Sequence, residues 1–141
     1  MNDFNYRRRH SSTVQIGNVP LGGDNPIRIQ SMTSTSTLDT DASVAQCRRI
    51  FDAGADYVRL TAQGVREAHN IGEIRAALHA AGYTKPLVAD IHFNYRLALI
   101  ALEGGVDAIR INPGNIGSKE HTEAVVKMCK EKHVPIRIGI N

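Results

Sequence analysis

The chain has 141 residues, of which 42% are hydrophobic and 22% charged, a balance that supports one globular domain with a buried core and excludes a disordered chain. No apolar run reaches the roughly eighteen residues of a membrane span, and the stretch from Met1 to His10 lacks the apolar core of a secretory signal, so a cytoplasmic protein is expected. The formal charge of +3 is modest; its one basic cluster, Arg7 to Arg9, reads as a solvated arm over residues 1–12, and with no Trp to build a stacking platform neither nucleic acid nor membrane is expected as a partner.

In chain order, "TVQIGNVPLGG" places Val14, Ile16, Val19 and Leu21 around Gly17-Asn18, the pattern of a small β-hairpin. Five β-branched runs follow at 27–32, 57–61, 87–92, 108–112 and 136–141, with helical periodicity between them. The order βαβαβαβαβ argues for parallel strands joined by helical crossovers. The first helix starts at Asp39 or Thr40 and stops at Gly54, with Val44, Cys47 and Phe51 inward; the second runs from about Val65 to Gly82, with Ile71, Ile74 and Leu78 on one face. The third follows Asn94 and ends at Gly104-Gly105; the fourth follows Ser118, carries Val125 and Cys129 inward, and ends near His133. Cys47 and Cys129 lack CxxC spacing and read as reduced core residues.

An internal repeat supports a barrel. "DAGADYVRL" (52–60) and "EGGVDAIRI" (103–111) align without a gap, and "PIRI" recurs at 26–29 and 135–138. Two alternating types of βα unit are what a (β/α) barrel uses, since alternate strands fill alternate interior layers.

Period-two alternation splits each strand into two faces. One set is apolar: Ile27, Ile29; Val58, Leu60; Leu87, Ala89, Ile91; Ile109, Ile111; Ile136, Ile138, Ile140. It must face the helices. The other set is polar: Arg28, Gln30; Arg59, Thr61; Asp90, His92; Arg110, Asn112; Arg137, Gly139, Asn141. That face needs water or an anionic partner, because burying unpaired cations is costly. A barrel interior and a wet face of an open sheet both satisfy the alternation. Arg59, Arg110 and Arg137 on neighbouring strands favour a phosphate-bearing ligand, with Asn112 and Asn141 as neutral donors. The loop "NPGNIGS" leads into the fourth helix and offers backbone N–H groups to the same anion. Asp90 and His92 are open to two readings, proton or hydroxyl handling, or simple pairing with the arginines. The remaining histidines read as solvated, and "SMTSTSTLDT" as a flexible connector, although Ser31, Met32 and Thr33 start it at a strand C-terminal end.

The strings "PIRIQSMT", "GADYVRLT", "PLVADIHFNYRLAL", "AIRINPGNIG" and "PIRIGIN", in this order and spacing, resemble the N-terminal barrel of the 4-hydroxy-3-methylbut-2-enyl diphosphate synthases from about Thr13 onward. The resemblance implies an α/β fold, a partial TIM (β/α)8 barrel of five parallel strands and four helices over 13–141 behind the hairpin. It implies an iron-sulfur oxidoreductase that reductively opens 2-C-methyl-D-erythritol 2,4-cyclodiphosphate in non-mevalonate isoprenoid synthesis, with electrons from flavodoxin or ferredoxin. By motif position it carries over Arg59, Arg110 and Arg137 as diphosphate ligands, Asn112 and Asn141 beside them, Asp90 and His92 as pocket residues, and Gln30 and Ser31 as weaker members. The family's [4Fe-4S] cluster is held by three cysteines and a glutamate of a later domain, which closes over the barrel of its partner in a homodimer. The implied reading is therefore a fragment that binds no cluster and is inactive alone, with a fifth-strand edge open to self-association. A dihydropteroate synthase-like enzyme acting on another anionic substrate and a non-catalytic half-barrel binding module are the competing readings.

Overall fold

The computed structural model describes Arg7 and residues 9–140, so the readings that fall on Arg8 and Asn141 lie outside the described residues. Strands β1 (Val14–Ile16) and β2 (Val19–Leu21) form the expected antiparallel hairpin, with Gly17 at φ +54° in its turn. Strands β3 (Gln30–Met32), β4 (Tyr57–Ala62), β5 (Leu87–Ile91), β6 (Ala108–Ile111) and β7 (Ile136–Ile138) form one parallel sheet in consecutive order. Consecutive order without a reversal is that of a barrel, whereas a doubly wound sheet reverses.

The sheet curls. In a flat sheet β3 and β7 would lie roughly 19 Å apart at ~4.8 Å per strand, beyond the combined reach of two side chains. Yet the Arg137 guanidinium donates to Gln30 Oε1 at 3.4 Å. This contact joins the first and last strands across the concave side and selects the barrel arc over the open sheet.

Local chemistry sets the four helices. Asp39 caps α1 (Thr40–Asp52), its carboxylate accepting from the Ala42 amide. Gly64 opens α2 (Val65–Ala80), and Gly82, at φ +87°, follows its end. Asn94 caps α3 (Tyr95–Glu103) and Ser118 caps α4 (Lys119–Lys132), which stops at His133 in the left-handed conformation. None of these helices is long and apolar enough to cross a membrane. They bury Cys47, Phe51, Ile71, Ile74, Leu78, Leu97, Leu102, Val125 and Cys129 against Val58, Leu60, Leu87, Ala89, Ile91, Ile109 and Ile111, the predicted apolar face. Burial pushes the Cys47 and Cys129 thiols up to about 12 and about 11, keeping both protonated.

The internal repeat has a structural meaning. Asp56 takes the Ile29 amide on its Oδ2 (2.7 Å) and returns its own amide to the Ile29 carbonyl (2.8 Å). Asp107 does the same to Leu87 (2.9 and 3.1 Å). The other oxygen of each faces an arginine, Arg28 for Asp56 and Arg75 for Asp107. Each aspartate thus pins the start of the strand before its own.

Three expectations are corrected. The first parallel strand begins at Gln30 and not at 27, because the Ile29 amide is taken by the Asp56 side chain; Ile27 and Ile29 stand 77% and 61% exposed, with no helix over them among the described residues. The fifth ends at Ile138 and not at 141, and Ile138 and Ile140 are likewise exposed. The inner face is not polar throughout. Tyr57, Val88 and Ala108, each two residues before a polar inward residue, are buried against Ile16 and Leu21 of the hairpin. The hairpin therefore plugs the N-terminal end of the arc.

Truncating the plug with Ile16→Ala should lower stability by about 2–4 kcal/mol in urea denaturation; a loss below about 0.5 kcal/mol would show that the hairpin is an ornament of the fold.

Candidate functional site

Above the apolar plug the inner face changes character within two residues. Tyr57, Val88 and Ala108 give way to Arg59, Asp90 and Arg110, and these to Thr61, His92 and Asn112 toward the strand C-terminal ends. The ladder sets Thr61 beside Asp90, Asp90 beside Arg110 and Arg110 beside Arg137, which brings residues from four strands into one row.

Asp90 is the hub. It is 4% exposed, and on that oxygen pair three cationic or potentially cationic groups converge. Arg110 Nη1 donates to Oδ1 at 3.2 Å, Arg59 Nε lies 3.7 Å from Oδ2, and His92 Nε2 lies 3.5 Å from the same oxygen. The Arg59 contact is charge without a hydrogen bond, since Nε is buried and has no acceptor. Its Nη2 donates instead to the Met32 sulfur at 3.4 Å, which anchors the guanidinium from β3. One carboxylate between two permanent cations leaves a positive remainder, to which Arg137 adds on the exposed side. A preorganised positive concavity at strand C-terminal ends is suited to a multiply charged anion.

His92 sits one step nearer the mouth, its ring a third exposed. Phe93 after it adopts φ +61°, and the Asn94 amide bonds the His92 carbonyl at 2.8 Å, a tight turn that ends β5 and delivers Asn94 to cap α3. Asp90 pairs with both arginines, and His92, 3.5 Å from the same carboxylate, turns the exposed part of its ring toward the mouth.

Not every predicted member joins. Gln30 lies on the inner face against Arg137. Ser31 does not, because it pairs in register with Val58, whose side chain is in the helix-facing core, and so points to the other side of β3. Asn112 reaches the rim, but its Oδ1 accepts from the Gly114 amide at 2.9 Å, leaving only its NH2 to donate. The amides of Gly114, Asn115, Ser118 and His121 are likewise engaged within the loop before α4, so that loop is a weaker anion cradle than its glycines suggest.

Two features were missed in the sequence. The hydroxyl-rich segment after β3 is not a flexible connector. Thr37 is buried and donates to the Thr61 carbonyl at 2.8 Å, Gln46 Oε1 accepts the Ser34 and Thr35 amides, Ser43 donates to the Ser36 carbonyl, and Asn70 donates to the Thr37 carbonyl at 2.7 Å. The loop is stitched over the end of β4 and fixes one wall of the mouth. His121 is not simply solvated, for it closes a capping box with Ser118 and stacks on Tyr95 with ring centroids 4.0 Å apart. Polar residues at a spacing of three before a helix carry that signal, whereas nothing local marks the Thr37 contact.

Fold and site together define a parallel α/β barrel segment with a positively charged inner face. The chain belongs to the GcpE TIM-barrel domain family, whose model matches residues 11–141. It is 52% identical over 160 residues to the 4-hydroxy-3-methylbut-2-en-1-yl diphosphate synthase (flavodoxin) of Parabacteroides distasonis, covering 98% of this chain and 26% of that protein. It is 53% identical over 135 residues to the Marinomonas protein of the same name, covering 96% and 35%. The chain thus spans between 26% and 35% of the length of these relatives. Among solved structures it is similar to the dihydropteroate synthase of Xanthomonas albilineans, with a TM-score of 0.61 and 19% identity over 88% of this chain and 48% of that one, a likeness of fold alone.

If Asp90 neutralises the arginine pair, Asp90→Asn should lose about 2–4 kcal/mol, below the full buried-pair range because both arginines keep some solvent. Inorganic pyrophosphate should raise the melting temperature of that variant more than that of the parent, by supplying the missing negative charge. An equal shift in both would mean that the anion binds elsewhere.

Proposed function

We propose that this chain supplies the substrate-holding wall of a 4-hydroxy-3-methylbut-2-enyl diphosphate synthase, the enzyme that reductively opens 2-C-methyl-D-erythritol 2,4-cyclodiphosphate to the linear allylic diphosphate. The observation that carries the reading is the pair Arg59 and Arg110 around one buried carboxylate, with Arg137 in register beside Arg110, at the C-terminal ends of parallel strands, in a chain of this family. The arginines hold the diphosphate oxygens through charge-assisted hydrogen bonds and neutralise their charge, and the Asn112 NH2 adds a neutral donor. His92 orients the polyol part of the ligand, and Asp90 keeps Arg59 and Arg110 in place before the ligand arrives. Asn141 joins them as a further neutral donor by its place in the sequence alternation alone. Gln30 acts by holding Arg137.

The reduction needs electrons, which a [4Fe-4S] cluster supplies in the whole enzyme, with flavodoxin as donor. The described residues do not fit such a cluster. Cys47 and Cys129 are buried in α1 and α4 among apolar side chains as protonated thiols, and no group of three or more His, Cys, Asp or Glu residues is placed to hold a metal. The cluster ligands therefore belong to the further length that the relatives have, and so does the homodimer contact that brings the cluster over the mouth of the barrel. Cytoplasmic location and the solvated arm over residues 1–12 belong to the same reading.

Calorimetric titration with the cyclic diphosphate tests the assignment. Arg110→Ala should weaken binding by about 10- to 100-fold, the worth of one or two charge-assisted hydrogen bonds, with a loss of stability as well, because it leaves the buried Asp90 short of a partner. Arg137→Ala, at an exposed position whose contact is Gln30, should weaken binding with little change in unfolding; unchanged binding in that variant would sink the assignment, and tighter binding of a pterin diphosphate would replace the substrate.

A further inference from the structure

Arg137 on β7 is the register partner of Arg110, and Gly139 follows just past the end of that strand. A methyl group built on Gly139 would collide with the Nε, Nη2 and Cζ atoms of Arg110, whose long side chain reaches up over it. The opposite edge of the same guanidinium, Nη1, bonds Asp90. The Arg110 head is thus wedged between a carboxylate on β5 and bare backbone just beyond β7.

Glycine is not needed there for the course of the chain. Gly17, Gly54, Gly82, Gly105 and Gly117 have positive φ, but Gly139 does not, so its backbone conformation is open to any residue. Its amide is already used, donating to the Ile111 carbonyl at 2.9 Å. What the missing side chain provides is room, and the three atoms nearest to it all belong to Arg110. Those atoms are the far end of a flexible side chain, so a larger residue at 139 would move the arginine and spare the fold.

We infer that Gly139 is a positioning residue for the anion site. It holds the Arg110 guanidinium against the backbone just beyond β7, so that the group stays on the carboxylate it shares with Arg59 instead of swinging toward the mouth. The inference rests on the diphosphate reading for its ligand, and on the packing alone for its geometry.

The test is a cycle of Gly139→Ala, Arg110→Lys and the double variant in the full chain, titrated with inorganic pyrophosphate. Gly139→Ala should melt as the parent does and bind pyrophosphate about tenfold more weakly, the effect of one displaced charge-assisted hydrogen bond. In the Arg110→Lys background, which lacks the forked head, the same change should have almost no further effect. Equal weakening in both backgrounds, or none in the parent, overturns the inference. The Arg110 Nε–H resonance, assigned by its loss in Arg110→Lys, provides a ligand-free readout. If the parent binds no pyrophosphate, the diphosphate reading fails by itself; a shift of that resonance in Gly139→Ala then still supports the positioning role, and an unmoved resonance sinks it.

Discussion

Two arginines on strands that flank a third repel each other, and a concave parallel sheet brings their heads closer than a flat one would. The carboxylate of Asp90 on the middle strand relieves this repulsion, and the inner face of the arc depends on it. Because the oxygen pair is buried, its pairing with Arg59 and Arg110 is screened less than a surface ion pair would be. The desolvation of three charged groups is offset only because they meet. The arrangement stops short of neutrality. A wall that still carries excess positive charge draws anions toward it.

The charged row works because of what lies beneath it. Ile16 and Leu21 of the hairpin, seated on Tyr57, Val88 and Ala108, put apolar surface under the Asp90 hub at the N-terminal end. The hydroxyl-rich loop braced by Thr37 and Asn70 fixes one wall of the opening. The site thus has an apolar floor and a stiff rim.

What was legible in the sequence follows the range of the interaction involved. Asp39, Asn94 and Ser118 act on amides two or three residues away, so the helix starts could be read from single residues. Alternation along one strand assigned Val58 and Leu60 to one face and Arg59 and Thr61 to the other without knowledge of the neighbours. The same rule puts Ser31 with Ile27 and Ile29 on the helix side of its strand, where it lies; the family resemblance, and not the alternation, pointed to it as a site residue. Contacts between distant segments were hidden. Nothing near Ile16 announces Tyr57, nothing near Thr37 announces Thr61, and Gly139 looks like any glycine until Arg110 is placed beside it. Ile27 and Ile29 have strand composition, but the Asp56 side chain takes the amide that a ladder would have used.

The paired clamps of Asp56 on Ile29 and of Asp107 on Leu87 make the architecture modular in twos. Within a pair of strands the junction is a side chain closing a ring with backbone. Between pairs it is the carbonyl of Pro86 or Pro135, residues with no amide to give, accepting from Val58 or Ile109. Shuffling such a chain by whole pairs conserves every ring, whereas inserting or deleting a single strand and helix leaves one aspartate with no amide to receive and one strand start untethered. The natural unit of growth in this barrel is therefore the doublet.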